Sequence, residues 1–169
     1  RDVRNKTYAN FDDVLYYCRR SANPVGRLLL HLYEESSPQN LIYSDAICTA
    51  LQLINFWQDV KKDYAIGRIY LPQDEMARHG VTERHLAEKR CDAAFRSLMK
   101  SEVERARGLM LSGAPLGRSL PGRVGLEIRA TVQGGLRILD KIEAAGYDVF
   151  RRRPVLKALD WPLLLLKAV

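Results

Sequence analysis

The most informative segment of the chain is Ser44-Asp-Ala-Ile-Cys-Thr-Ala-Leu-Gln-Leu-Ile-Asn-Phe-Trp-Gln-Asp-Val-Lys-Lys-Asp63. Its apolar residues occur nearly all round a helix, which predicts a buried helix from about residue 43 to residue 64. Four polar residues nevertheless recur on one helix face, here called the polar stripe: Gln52, Asn55, Asp59 and Asp63. Burial of such groups is costly unless they are paired or bind a ligand, so the segment predicts a polar site within an apolar protein.

The last two residues of the polar stripe have the chemistry of a divalent-cation site. Asp59 and Asp63 are one helical turn apart, so their side chains lie roughly 6 Å apart and repel each other unless a cation is near. Oxygen ligands at this spacing suit Mg²⁺, which takes one or two carboxylates together with substrate phosphates. Gln52 and Asn55 add neutral amide groups that can donate and accept hydrogen bonds. The alternative is a solvated helix face, because two lysines between the aspartates indicate contact with solvent.

Helical periodicity also dominates the rest of the chain. We expect further helices at 11–22 with a restart after Pro24, at 82–111 and at 125–145. The segment 112–122 is rich in Gly, Pro and Ser and predicts a loop. Neither strand alternation nor an internal repeat is evident. These patterns predict an all-α fold, with residues 1–169 forming a single domain.

Composition narrows the class of protein. The 169 residues are 47% hydrophobic and 28% charged, which is typical of a globular protein and excludes a disordered chain. Three widely spaced cysteines favour free thiols in a reducing cytoplasm over a disulfide framework. The net charge of +7 suits nucleic acid, an anionic membrane or phosphorylated small molecules. Nucleic acid is disfavoured, because the basic residues are not interleaved with aromatic residues as in RNA-binding modules.

A peripheral membrane contact is one interpretation of the C-terminal sequence. Trp161-Pro-Leu-Leu-Leu-Leu166 follows the basic run Arg151-Arg-Arg153, and such a combination can dock at an anionic interface. The patterning favours the other interpretation, in which the leucines pack in the core and the arginines are solvated. We therefore predict a cytoplasmic protein, with association at the cytoplasmic face of a membrane as the alternative. The sequence does not indicate the oligomeric state.

Three motifs together resemble the squalene/phytoene synthase family of head-to-head prenyl transferases. The polar stripe is similar to the family's second aspartate-rich motif, and Gly67-Arg-Ile-Tyr-Leu-Pro72 is similar to the stretch that follows it. The earlier segment Tyr17-Cys-Arg-Arg-Ser-Ala-Asn-Pro-Val-Gly26 resembles the family's Y-C-x-x-V-A-G-x-V-G helix. The motifs occur in the family's order within residues 17–72, and the helical remainder is compatible with the family.

The resemblance implies an isoprenoid-synthase fold around an apolar cavity, with Mg²⁺-assisted ionisation of a prenyl diphosphate and rearrangement of the resulting carbocation. By position, the metal ligands are Asp59, Asp63 and Asn55. The implied catalytic residues are the two aspartates and Tyr17, which would stabilise a carbocation or move a proton. The implied substrate-binding residues at the diphosphate end are Gln52, Asn55, Arg68 and Tyr70.

The residues around Tyr17 extend this substrate site. Tyr17, Ser21, Val25 and Leu29 share roughly one helix face, which would present a phenol to a long apolar pocket, and we count the last three as substrate-binding. Spacing alone leaves alternatives open. Tyr17 can be a core tyrosine, and Arg68 with Tyr70 can belong to an ordinary loop between a glycine and a proline.

Two departures from the family pattern favour one branch. Ser21-Ala-Asn23-Pro24-Val-Gly replaces V-A-G-x-V-G, and Gln58 stands where the family usually has Arg. This resembles the hydroxysqualene synthase branch of bacterial hopanoid biosynthesis, which converts presqualene diphosphate to hydroxysqualene by water capture. A more polar pocket suits that step, with Ser21 and Asn23 as candidates to hold the water.

Other members of the family remain alternatives. They are synthases of squalene, presqualene diphosphate or phytoene, which condense farnesyl or geranylgeranyl diphosphate. NADPH is expected only if the product is squalene. A third interpretation is a non-catalytic helical assembly module that keeps the family fold.

The first aspartate-rich motif of the family has no counterpart in the sequence. No second D-x-x-x-D is present, and Asp12 and Asp13 are adjacent, so they point to different faces of a helix. The sequence also begins in a charged segment without Met. We therefore expect the C-terminal portion of a longer enzyme, without the N-terminal helices that carry the first motif. On that expectation the isolated piece is inactive.

Overall fold

The computed structural model describes residues 7–160 together with Pro162 and Leu166, and this part of the chain contains helices and no strand. The predicted all-α class is therefore confirmed. The elements are, in chain order, α1 (Phe11–Ser21), α2 (Asn23–Leu32), α3 (Pro38–Ala65), α4 (Gln73–Arg78), α5 (Glu83–Ala87), α6 (Ala93–Gly113), α7 (Leu116–Ser119), α8 (Gly122–Ala144) and a 3-10 helix (Ala158–Asp160).

Helix α3 is the centre of the fold. It packs most extensively against α6, and also against α2, α8, α1 and α7. Leu53 and Trp57 of α3 are fully buried in these contacts. The helix begins at Pro38, where the Ser37 side chain caps it by accepting a hydrogen bond from the Asn40 N–H at 3.2 Å. The predicted start near residue 43 was therefore wrong, although Ser37-Pro38 is a typical start signal.

The expected break is present, because α1 ends at Ser21 and α2 begins at Asn23, one residue before Pro24, which lies in its first turn. Asn23 is buried, and its Oδ1 accepts a hydrogen bond from the Thr49 hydroxyl of α3 at 3.1 Å. Gly26 lets α2 approach α3 closely, since a Cβ atom at this position would overlap the Ser44 hydroxyl. The segment that follows α1 is thus fixed against the central helix.

The structure divides the single helix predicted over 82–111 into α5 and α6. Thr82 precedes α5 as its capping residue. Lys89 then adopts a φ of +53°, and the Asp92 side chain caps α6 by accepting a hydrogen bond from the Phe95 N–H at 3.0 Å. The break was not recognised because the apolar periodicity continues across it. The loop predicted over 112–122 likewise contains the short helix α7.

Helix α6 carries one carboxylate into the core. Glu102 is completely buried and accepts a hydrogen bond from Arg105 Nη1 at 3.2 Å. Arg105 also donates to Glu75 of α4 at 2.8 Å, and its guanidinium carbon lies 4.1 Å from the ring centre of Phe11. Burial raises the pKa of Glu102 from 4.5 to about 7, although the positive charge of Arg105 opposes the rise. The protonation of this carboxyl group is therefore governed by packing.

The basic run at 151–153 is only partly solvated. Arg151 and Arg152 are exposed, whereas Arg153 is half-buried against Asp59. The apolar stretch 161–166, considered above for membrane contact, lies outside the described residues except for Pro162 and Leu166. Within the described part of the chain, no helix combines the length and the hydropathy needed to cross a bilayer.

Candidate active site

The polar stripe of α3 lies on an accessible side of the helix. Asn55 is exposed, whereas Gln52, Asp59 and Asp63 are half-buried. The apolar residues of α3 pack against the neighbouring helices on its other faces. The helix that the sequence predicted to be buried therefore has one face whose polar groups are open to a ligand.

Asp59 is paired with Arg153, a residue that the sequence did not assign to the site. Arg153 Nε donates to Asp59 Oδ1 at 2.7 Å, and Arg153 Nη2 donates to Oδ2 at 2.9 Å. Lys62 Nζ lies 3.4 Å from Oδ1. The hydrogen bonds from Arg153 hold the pKa of Asp59 below its ordinary range, against the opposing effect of burial. The two partners are 94 residues apart, so no local pattern identifies the pair.

Asp63 has the opposite electrostatic environment. Burial raises the pKa of Asp63 to about 6, and the negative charge of Asp59 adds to the rise. The positive charges of Arg68 and Lys62 act against it. The loop after α3 is held beside this carboxyl group, because the Arg68 N–H donates to the Asp63 carbonyl oxygen at 2.8 Å. The two aspartates are therefore unequal, one neutralised by a guanidinium and the other not.

The donor set at this position fits a Mg²⁺ ion that is shared with a substrate. Among residues 7–160, no three His, Cys, Asp or Glu side chains converge where they could hold a metal. The described part of the chain therefore does not supply a complete metal cage on its own. Two carboxylates and an amide, from Asp59, Asp63 and Asn55, are nonetheless ligands that Mg²⁺ accepts when phosphate oxygens and waters complete its coordination.

Tyr17 belongs to an aromatic cluster beside α3. The rings of Phe56 and Tyr70 stack with their centres 3.7 Å apart, and the Tyr17 ring centre lies 6.0 Å from Phe56 and 5.9 Å from Tyr70. Tyr8 stacks on the other side of Tyr70, with 5.5 Å between the ring centres. Tyr17 is half-buried and Tyr70 is buried, and burial raises the pKa of Tyr70. The cluster therefore presents the π surface of Tyr17 next to the central helix.

The loop after α3 joins this cluster to the aspartates. Asp63, Arg68 and Tyr70 line one narrow cleft together with Phe56. Arg68 is exposed, so its guanidinium is accessible from solvent, whereas Tyr70 is packed under the loop. The structure thus brings together at one end of α3 the predicted residues Tyr17, Asp59, Asp63, Arg68 and Tyr70.

Two neighbouring cavities extend from the polar stripe along α3. The first has a volume of about 470 Å³, lies between α3 and α8, and is lined by residues that include Leu51, Ile54, Asn55, Gln58, Gly134, Ile138, Arg153 and Leu156. The second has a volume of about 300 Å³, lies between α2, α3 and α8, and is lined by residues that include Val25, Leu29, Cys48, Leu51, Val124 and Ile128. Leu51 and Thr131 line both, so the cavities adjoin.

Ser21 and Asn23 lie elsewhere. Ser21 is exposed, and its hydroxyl donates to the Tyr17 carbonyl oxygen within α1 at 3.0 Å. Asn23 accepts the hydrogen bond from Thr49 between α2 and α3. Neither residue lines the two cavities. Their role in holding water stays a prediction without a supporting contact, whereas Val25 and Leu29 do line an apolar cavity.

Comparison with known proteins agrees with the architecture. The model of the squalene/phytoene synthase family matches residues 1–160. A hydroxysqualene synthase of Rhodopseudomonas palustris is 32% identical over 162 residues, which cover 95% of this chain and 54% of that protein. A phytoene synthase of Thermus thermophilus is 35% identical over 157 residues, which cover 92% of this chain and 53% of that protein.

Solved structures show the same relationship. Squalene synthase HpnC from Alicyclobacillus acidocaldarius superimposes with a TM-score of 0.84 at 37% identity, over 86% of this chain and 56% of that one. The chain thus spans about half the length of the relatives it matches. The family match extends over nearly the whole sequence and includes the polar stripe. This chain is therefore a member of the squalene/phytoene synthase family.

Proposed function

We propose that this protein acts in squalene/hopanoid isoprenoid biosynthesis, as a Mg²⁺-dependent synthase that ionises presqualene diphosphate and lets water capture the cation to give hydroxysqualene. The observation that carries the proposal is a largely apolar cavity of about 470 Å³ that is lined by Asn55 and by Arg153, the partner of Asp59. Asp59 and Asp63 follow Asn55 on the same helix. A prenyl diphosphate needs both a polar end and an apolar channel. Because the chain spans about half the length of its relatives, the activity is proposed for the whole protein.

The residues at the polar end would promote departure of the diphosphate. Asp59, Asp63 and Asn55 would hold Mg²⁺, which supplies positive charge for the leaving oxygen. Arg68 adds a guanidinium on the accessible side of the same cleft. Such positive charge stabilises the leaving group more than the intact substrate, because negative charge builds up there as the carbon–oxygen bond breaks.

Aromatic rings near the aspartates and apolar walls farther along α3 would protect and direct the carbocation. The ring of Tyr17 can stabilise positive charge through its π face, and the neighbouring rings of Phe56 and Tyr70 extend that surface. Val25 and Leu29 contribute apolar walls to the adjoining cavity. Formation of hydroxysqualene then needs one water held at a defined position, because Val25 and Leu29 are exposed and do not exclude solvent by themselves.

Thr131 offers a place for that water. Its side chain borders both cavities, and its hydroxyl donates to the Glu127 carbonyl oxygen at 2.8 Å. Because the hydroxyl proton is already donated to this carbonyl oxygen, the hydroxyl oxygen is left to accept a hydrogen bond from a water molecule. The water then keeps a lone pair for the cation, and the proton that it loses on capture passes to solvent or to the released diphosphate. Thr131 thus joins Ser21 and Asn23 as a candidate to hold the water.

Product analysis with the whole protein tests the proposal. Presqualene diphosphate with Mg²⁺ should give hydroxysqualene, and Asp59→Asn or Asp63→Asn should lower turnover on the order of 100-fold by weakening stabilisation of the leaving group. Asp45→Asn is the matched control, because Asp45 lies on the same helix and pairs with Arg27 outside the cavities. Unchanged turnover in both site variants would contradict the proposed metal role.

The product distinguishes the other members of the family. Squalene formed with NADPH would identify a squalene synthase. Presqualene diphosphate formed from farnesyl diphosphate, or phytoene formed from geranylgeranyl diphosphate, would identify the corresponding synthase instead. A folded whole protein that turns over none of these substrates would favour the non-catalytic assembly module.

A further inference from the structure

The chain that follows α8 returns across the end of α3. We call residues 153–156, Arg153-Pro-Val-Leu156, the return segment. On one side it reaches α8, because the carbonyl oxygen of Val155 accepts a hydrogen bond from Lys141 Nζ at 3.0 Å. On the other side it reaches α3 through the Arg153–Asp59 pair. Arg153 and Leu156 line the larger cavity, so the position of this segment shapes the polar end of the candidate site.

A second contact ties the return segment to α3. Gln58 is buried, and its Nε2 donates to the Pro154 carbonyl oxygen at 2.5 Å. Two adjacent residues of α3, Gln58 and Asp59, therefore hold two adjacent residues of the return segment, Pro154 and Arg153. Attachment at two points restricts both the position and the orientation of the segment. A bidentate guanidinium–carboxylate pair needs such alignment, because both of its hydrogen bonds require a common plane.

We propose that Gln58 is a positioning residue that holds the Arg153 guanidinium on Asp59 and thereby limits how tightly the Asp59–Asp63 pair binds a divalent cation. The inference rests on the metal role in the proposed function. Arg153 occupies both oxygens of Asp59, so a cation must compete with it for that carboxylate. Gln58 is neutral, so it anchors the backbone at Pro154 without itself competing for Asp59.

The chemistry of the side chain at position 58 explains why a glutamine suits this role. A second arginine there would place two guanidinium groups near one carboxylate, and their repulsion would oppose the Arg153–Asp59 pair. A glutamine donates one hydrogen bond and adds no charge. A glutamine in place of the arginine that the family usually has is therefore compatible with the use of Arg153 at Asp59.

A double-mutant cycle tests the coupling between the two residues. The four proteins are the parent, Gln58→Met, Arg153→Met and the double variant, since methionine resembles glutamine in length and cannot donate. The first measurement is the affinity for Mn²⁺ alone, followed by electron paramagnetic resonance. The second is the free energy of unfolding in urea. Gln133→Met is the matched control, because Gln133 lies on α8 and does not line the larger cavity.

The expected result is a gain in metal affinity on loss of one hydrogen bond. Gln58→Met should raise the Mn²⁺ affinity about fivefold, the change that one buried hydrogen bond supplies. Arg153→Met should raise it at least as much. In the Arg153→Met background, Gln58→Met should have no further effect, because the competing guanidinium is gone. Gln133→Met should leave the affinity unchanged.

Several outcomes would overturn the positioning role. One such outcome is that Arg153→Met raises the Mn²⁺ affinity whereas Gln58→Met leaves it unchanged. Gln58 would then contribute only to packing, even if Gln58→Met lowers the stability of the protein. Additive effects of the two substitutions would show that they act independently. If the parent binds no Mn²⁺, the metal role in the proposed function fails, and the unfolding free energies then decide about Gln58. Coupling between the two substitutions in the free energy of unfolding would support the positioning role of Gln58, and additivity would refute it.

Discussion

Substitution of Glu102 by glutamine removes the carboxylate that α6 carries into the core. Glu102 is completely buried beside Arg105, which it shares with Glu75 of α4. Glutamine has nearly the same shape and can still accept a hydrogen bond from Arg105, but it never ionises. The variant therefore isolates the free energy of burying the negative charge, while Arg105 keeps Glu75 as its partner.

The size and sign of the effect follow from the pKa of Glu102. Burial raises this pKa from 4.5 in the unfolded chain to about 7 in the folded protein, so between these values the folded state binds more protons. The free energy of unfolding must then fall as the pH rises through that window. At about 1.4 kcal/mol for each pH unit, the total loss from this group is about 3 kcal/mol. The loss begins near pH 4.5 and is complete above pH 7.

Urea denaturation of the parent and of Glu102→Gln at several pH values between 4 and 8 measures this contribution. Relative to the parent, the free energy of unfolding of Glu102→Gln should increase by about 3 kcal/mol between pH 4.5 and pH 8. Glu104→Gln, on the exposed side of the same helix, is the control and should follow the parent at every pH. A difference between Glu102→Gln and the parent that stays constant over the whole range would refute the argument that burial keeps this carboxyl group protonated.

Two further predictions concern the packing around α3, and thermal or urea denaturation checks both. Gly113→Ala should destabilise the protein by about 2 kcal/mol, because the added Cβ would lie 2.6 Å from a carbonyl oxygen of α3. Gly108→Ala, on the same helix with no neighbouring atom within 4 Å, should instead stabilise it by about 0.8 kcal/mol. Thr49→Val should cost about 1–3 kcal/mol, because it leaves the buried Asn23 amide oxygen without its donor. Equal stabilities of the two glycine variants, or a neutral Thr49→Val, would contradict these contacts.

Periodicity along the chain predicted the helical class and much of the candidate site. The spacing of Gln52, Asn55, Asp59 and Asp63 predicted one face of a helix, and all four do lie on α3. The break between α1 and α2 beside Pro24 followed from the fixed geometry of proline. Such predictions succeed because they depend on neighbours three or four residues apart, whose relative positions the helix itself determines.

The same periodicity failed where local hydrogen bonds override it. It joined α5 and α6 into one helix, because the apolar spacing continues through the break at Lys89. It also predicted a helix buried on nearly all sides, since it cannot show which neighbours cover each face of α3. Exposure of Asn55 depends on where the other helices lie.

The amino-acid pattern alone was sufficient to place two carboxylates on one turn of a helix and to indicate the family. Tertiary structure decided what surrounds them. Arg153 reaches Asp59 from 94 residues away, and Gln58 reaches the Pro154 carbonyl oxygen from 96 residues away. The protonation of Glu102 likewise depends on the helices that enclose it. The physical reason is that such contacts and desolvation arise from the packing of whole helices, which short-range spacing along the chain does not encode.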